Sequence, residues 1–180
     1  MTSLVQKLNL GAKYRFVCRN PDGDIKWIHE EHNLIPNEGL DHALDVLLSG
    51  GTQITSWFVG LIDNTSFTEV AADDTAAKIA LTKNHPTTND WQELDDYSQA
   101  TRPAFTDGGV SGQSLDNSAS PAAFSINATV TVNGAFLVSS STKGGATGTL
   151  FSCASFTGGN KAAANGDTLN VTVTVSSQDV

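Results

Sequence analysis

Period-two alternation dominates the C-terminal third of the chain. Phe124, Ile126, Ala128, Val130 and Val132 alternate with Ser125, Asn127, Thr129 and Thr131, and Leu169, Val171, Val173 and Val175 alternate with Asn170, Thr172, Thr174 and Ser176. Successive side chains of a strand point to opposite faces, so the pattern predicts strands with one face in a core and the other at a polar surface. Asn133-Gly134 stands between the first run and the apolar stretch Ala135-Phe136-Leu137-Val138. It predicts a two-residue hairpin turn, because both central residues of a type I′ turn require positive φ. Residues 11–32 read as another hairpin: Tyr14, Phe16 and Cys18 share a face, Asn20-Pro21-Asp22-Gly23 supplies the turn, and Ile25 and Trp27 begin the return strand. Trp57-Phe58-Val59-Gly60-Leu61-Ile62 is continuous rather than alternating, as expected of a central strand covered on both faces.

One stretch changes period. Leu40, Ala43, Leu44, Leu47 and Leu48 fall at i, i+3, i+4, i+7 and i+8, the stripe of an amphipathic helix over residues 37–49. Asn37 is the expected cap, Ser49-Gly50-Gly51 the stop, and Glu38, Asp41 and Asp45 lie on the polar side. The stripe must pack on something, and a sheet face is the expected partner. Residues 64–120 are polar and turn-rich, with a short helix expected from Asp73 to Ala80 and Trp91, Tyr97 and Phe105 as isolated anchors. Too few apolar residues are present for a separate core, so the stretch reads as a long connection laid over a sandwich. The fold expected is mainly β: one domain over residues 1–180, an antiparallel β-sandwich of jelly-roll-like kind. It carries one helix near residues 37–49, long connecting loops and an extended arm over residues 1–10.

Charge narrows the partners. A net charge of −9 argues against a nucleic-acid backbone, which needs clustered Lys and Arg, and against an anionic membrane surface. No apolar run approaches the ~20 residues that span a bilayer. Cys18 and Cys153 are the only cysteines, too few for a disulfide framework or a zinc site. Met1-Thr2-Ser3-Leu4 lacks the basic-then-apolar pattern of a secretory signal, so a reducing compartment is expected. Both thiols are then small apolar packing groups, with a single bond between them as the alternative. The sequons at Asn64, Asn127 and Asn170 read as ordinary strand and turn polarity.

The candidate chemistry dissolves on inspection. His29-Glu30-Glu31-His32 has its histidines three apart rather than four, and on a strand that odd spacing sends them to opposite faces. Asp22, Asp24, Asp63, Asp73, Asp74, Asp95, Asp96, Asp107, Asp116 and Asp167 are numerous enough to suggest calcium, yet none sits in a D-x-D-x-D-G loop. Gly144-Gly145-Ala146-Thr147-Gly148 lacks the G-K-[ST] ending of a phosphate loop and reads as a mobile hairpin tip. Arg102, held stiff by Pro103 in an acidic region, is expected to pair with a carboxylate and pin the long connection to the scaffold. No catalytic, cofactor-binding or metal-binding residue is assigned, and a non-enzymatic protein is expected.

Three stretches carry a resemblance. Gly23-Asp24-Ile25-Lys26-Trp27 with His32-Asn33-Leu34 is the first, and Trp57-Phe58-Val59-Gly60-Leu61-Ile62-Asp63-Asn64 the second. The third starts at Tyr97-Ser98-Gln99-Ala100-Thr101-Arg102-Pro103-Ala104 and continues through Phe124-Ser125-Ile126-Asn127-Ala128 and Val132-Asn133-Gly134-Ala135-Phe136-Leu137 to Asn165-Gly166-Asp167-Thr168-Leu169. Together they resemble a family of small virion proteins of tailed bacteriophages, from about residue 11 to the end. Lys83 to Asp90 departs from the family pattern by being longer. The resemblance implies a capsid cement or decoration protein, made in the host bacterial cytoplasm and bound to the capsid exterior. Its partners would be the major capsid protein and further copies of itself. The alternative is a head-fibre or tail-fibre module that binds a receptor or glycan, with Trp57, Trp91 and Tyr97 stacking on sugar faces.

Overall fold

The alternating runs at the two ends of the chain pair with each other. The computed structural model describes residues 8–65, 67–79 and 91–179. Strand β1 (Leu8–Arg19) lies antiparallel to β11 (Thr168–Asp179) in unbroken register from Leu8 opposite Asp179 to Arg19 opposite Thr168. Strand β2 (Ile25–His32) returns beside β1 through the expected Asn20–Gly23 turn. β6 (Ser114–Asp116) and β7 (Ala122–Ser125) pair with the other edge of β11 and complete the first sheet. Residues 8–10, expected to belong to an arm, are thus part of a strand, and the rest of that stretch lies outside the described residues, as does Lys83–Asp90.

The second sheet is built on β3 (Trp57–Asp63) and β8 (Val130–Val138). β9 (Leu150–Ser155) and β10 (Lys161–Ala163) pair with β8, while β4 (Glu93–Leu94) and β5 (Ala104–Phe105) pair with β3. The fold is a mainly β antiparallel sandwich. Tyr14, Phe16, Cys18, Val171 and Val173 from the first sheet meet Val59, Leu61, Ala135 and Leu137 from the second in one core. A second cluster, with Ile62, Phe136, Val138, Leu150 and Cys153, lies on the far side of the second sheet under Ala76, Ile79 and Trp91 of the long connection. This explains the two patterns. The first sheet turns Lys13, Arg15 and Glu30 to water and so alternates, whereas β3 and β8 are covered on both faces and read as continuous apolar runs.

Several expectations are corrected. Asn133-Gly134 makes no turn: β8 runs through both residues, and Asn133 is an extra residue between Val132 and Gly134, which pair with Asp63 and Ile62. Glycine is required there by close approach, because a Cβ at 134 would lie 1.9 Å from the Ala154 carbonyl oxygen. The alternating run before it is not one strand either. β7 belongs to the first sheet and β8 to the second, so the chain crosses between sheets while keeping the same residues inward.

The helix also differs. Helix α1 covers Asn37–Leu44, and Asp45–Ser49 widens into a π-helical turn rather than continuing it. Pro36, not Asn37, occupies the cap position, and the Asn37 N–H is bonded to the Ala72 carbonyl. Most of the leucine stripe does not meet a sheet: Leu40, Leu44, Leu47 and Leu48 are exposed. The cause is Gly39. A Cβ there would sit 2.3 Å from the Phe151 carbonyl oxygen, so the bare glycine lays the helix directly on the β9 backbone. His42, on the next turn, meets Trp57 edge to face, with ring centroids 5.8 Å apart. That docking rotates the leucines toward solvent. Between Asp73 and Ala80 the expected helix is a single 3-10 turn at Ala76–Lys78.

Candidate functional site

Arg102 anchors the most concentrated polar cluster. The stiff segment before Pro103 carries it beneath the β8–β9 connection, where its side chain and that of Glu93 are fully removed from solvent. Arg102 Nε donates to Glu93 Oε1 at 2.9 Å and Nη2 to Oε2 at 2.7 Å, a bidentate fork. Nη1 donates to the Ser140 carbonyl and Nη2 to the Gly145 carbonyl, each at 2.9 Å, and the guanidinium lies 5.2 Å from the Phe136 ring centroid. Glu93 also accepts from the Gly144 N–H at 2.7 Å and from the Tyr97 hydroxyl at 3.4 Å. Burial, with the Glu93 carboxylate nearby, drives the Tyr97 hydroxyl well above the ordinary phenol range. Lys143 closes the cluster from outside, 4.3 Å from the Tyr97 ring centroid and donating to the Tyr97 carbonyl.

This arrangement holds chain segments together and leaves the ion pair no solvent-facing side. Arg102 pairs with a carboxylate and pins the long connection, as its setting suggested. The glycine-rich segment at 144–148 is where a hairpin connection was expected, but Gly144 and Gly145 are tied down by Glu93 and Arg102 rather than forming a free tip.

Several other candidates are also struts, whereas Asp22, Asp24, Asp73, Asp95, Asp96 and Asp107 are exposed. His29 faces inward, 4.5 Å from Phe156 between ring centroids, while His32 is exposed on the opposite face. Glu31 accepts from the Thr157 N–H at 2.8 Å and its hydroxyl at 2.9 Å, latching β2 to the segment after β9. Burial raises the Glu31 carboxyl, but those bonds outweigh it and hold the group below its usual range. Asp167 accepts from Lys26 Nζ at 2.5 Å and the Ala164 N–H at 2.7 Å. Burial again opposes ionisation there, and again the hydrogen bonds prevail and lower the carboxyl. Asp74 accepts from Trp91 Nε1 at 2.8 Å. Among the described residues, no group of three or more His, Cys, Asp or Glu is placed to hold a metal ion.

Cys18 and Cys153 are buried, unbonded and in different apolar clusters. Burial raises both thiols, Cys18 to about 11 with help from Asp167. Trp91 and Tyr97, suggested for sugar stacking, are buried; Trp57 is half-buried against His42 and Phe151.

The roles of three carboxylates, Glu93, Glu31 and Glu38, escaped the sequence reading. Glu38 Oε2 accepts from the Ala76 N–H at 2.8 Å and the Leu150 N–H at 2.7 Å, joining α1 to the long connection and β9. Only Glu93 had a usable signal, an acid bracketed by Trp91 and Leu94 near a lone Arg needing a partner. The fold leaves both polar and apolar space open: a cleft of about 430 Å³ is lined by Asp63, Gln92, Asp95, Asp96 and Thr131, and a larger one is apolar. A groove of about 680 Å³ runs between α1 and the end of the first sheet, walled by Leu40, Leu44 and Leu47 on one side and Leu10 and Ile35 on the other.

The fold and its polar clusters define a β-sandwich whose prominent charged residues serve as internal ties. No protein-family model matches the chain, and no curated protein matches it. No helix among the described residues is long and apolar enough to cross a membrane.

Proposed function

We propose that this chain is a structural virion protein of a tailed bacteriophage, binding the outside of the capsid and stabilising the shell. The observation that carries the reading is the inward use of the residues best suited to chemistry. Arg102, Glu93, Glu31, Asp167 and Tyr97 each close a gap between strands or connections. Such ties make a rigid body. A shell clamp needs rigidity, because a partner that orders on binding spends interaction energy on its own conformational entropy.

The outer face of the first sheet supports the same reading. Lys13 and Arg15 flank Glu30 at 2.5 and 3.5 Å, and half-exposed Thr172 and Thr174 continue the surface on β11. Mixed charges and hydroxyls offer many weak polar contacts, suited to a repeated assembly. The resemblance in sequence to small phage virion proteins points the same way. Burial of Trp91 and Tyr97 weighs against the glycan-binding alternative, leaving only the half-buried Trp57 of the three residues suggested for stacking. Electron microscopy of the virion tests the proposal. Density for the sandwich repeated over the outer shell lattice is expected; its absence from the lattice, or its presence only in a tail or fibre, overturns the cement reading.

A further inference from the structure

The leucine stripe that α1 turns outward gathers four of the seven exposed large apolar side chains among the described residues. Leu44, Leu47 and Leu48 are 56%, 70% and 81% exposed, and Leu40 is 39% exposed. These four side chains leave on the order of 400 Å² of apolar surface in water, a size at which a patch on a soluble protein is often functional. Their orientation is held by the fold. Gly39 seats the helix on β9, and Glu38 clamps it through the Ala76 and Leu150 N–H groups. The π-helical turn carries Leu47 and Leu48, and such turns occur frequently at functional sites.

Area and charge choose the occupant. Two copies docked stripe to stripe would have to bury about 800 Å² each, which carries the contact beyond the leucines to their acidic border. Such a pair would bring Asp41 and Asp45, exposed beside the stripe, toward their own equivalents on a chain of net charge −9. A segment with apolar residues flanked by Lys or Arg satisfies both the groove and its acidic border. We infer that the α1 groove docks an apolar, basically flanked segment of a partner protein. Resting on the capsid reading above, this groove is one point of contact with the shell. The leucines would be the apolar centre of that contact, with polar neighbours supplying its rim.

The test places the photo-cross-linker p-benzoylphenylalanine at Leu47, and separately at the exposed comparison sites Ile28 and Val110, in particles of the phage that encodes the chain. Linkage from Leu47 to a shell-protein segment with Lys or Arg beside apolar residues is expected. Leu44→Asp with Leu47→Asp should lower occupancy on particles assembled without the chain by about tenfold or more while leaving its thermal unfolding in place. Asp41→Lys with Asp45→Lys should lower occupancy less. Linkage from Leu47 to a second copy or to residues 1–7 of its own chain overturns the inference. So does linkage to the shell from Ile28 or Val110 but not Leu47, a result that leaves the capsid reading standing. Absence of the wild-type chain from the particle is different: it sinks the capsid reading and the assignment that rests on it.

Discussion

Replacing Arg102 with Met keeps an unbranched apolar stem beneath Phe136 but removes the guanidinium. Glu93 is then left with the Gly144 N–H at 2.7 Å and a long bond from Tyr97 at 3.4 Å as its donors from the cluster. The carbonyls of Ser140 and Gly145 lose the donors that reached them at 2.9 Å. Breaking a buried ion pair from one side costs about 3–5 kcal/mol, because the surviving charge stays in a low-dielectric site without its counter-charge. For a chain of this length each kcal/mol moves Tm by about 2–4 °C, so Arg102→Met should lower Tm by roughly 6–20 °C. Calorimetry and urea unfolding at neutral pH read this directly. Arg102→Lys keeps the charge but loses the planar fork, and should fall between wild type and Arg102→Met. The double variant Arg102→Met with Glu93→Leu removes both charges, and should be less destabilised than Arg102→Met alone. A Tm drop under about 3 °C for Arg102→Met, or a double variant less stable than that single one, refutes the view that the cluster is a buried tie.

Gly39→Ala puts a Cβ 2.3 Å from the Phe151 carbonyl oxygen; lifting α1 off β9 should cost about 1–3 kcal/mol in urea unfolding and alter Trp57 fluorescence as His42 withdraws. Gly134→Ala, with 1.9 Å to the Ala154 carbonyl oxygen, strikes the β8–β9 ladder itself and should cost about 3 kcal/mol or more, read as lost soluble yield or a lower Tm. The Asp167 carboxyl is held below its usual value. Its contribution to stability is therefore present above about pH 3.9 and is lost as pH falls through the lower folded-state value. The stability gap between wild type and Asp167→Asn should accordingly shrink on acidification, and a constant gap from pH 7 to pH 2 in urea titrations rules this out. Both thiols are buried, so a thiol reagent should label neither in the native protein and both after denaturation; rapid native labelling contradicts the packing described.

What was legible in the chain depended on how far each signal reaches. Alternation over Phe124–Val132 marked inward residues correctly even though the chain changes sheet midway, because an inward face stays inward on either side of a sandwich. Arg102 could be read because a lone Arg in an acidic stretch needs a partner wherever it lies. Glu31 and Glu38 could not, since they cap backbone N–H groups 126 and 112 residues away, and such pairing leaves no local trace. Gly134 was misread because a glycine needed for close approach looks the same in sequence as one needed for a turn.

The helix carries the argument furthest. An apolar stripe at helical spacing states that water is a poor neighbour for those side chains, but it does not name the cover. Packing of the stripe on a sheet was the economical expectation; α1 does lie on β9, but the missing Cβ at Gly39 sets a different face against it. With that face fixed, Leu44, Leu47 and Leu48 have no cover among the described residues. A helix held outward by Gly39 and Glu38 keeps the same apolar surface exposed however well the rest of the sandwich packs. The cover therefore has to be sought outside the described fold, and the acidic border at Asp41 and Asp45 sets the charge it should carry.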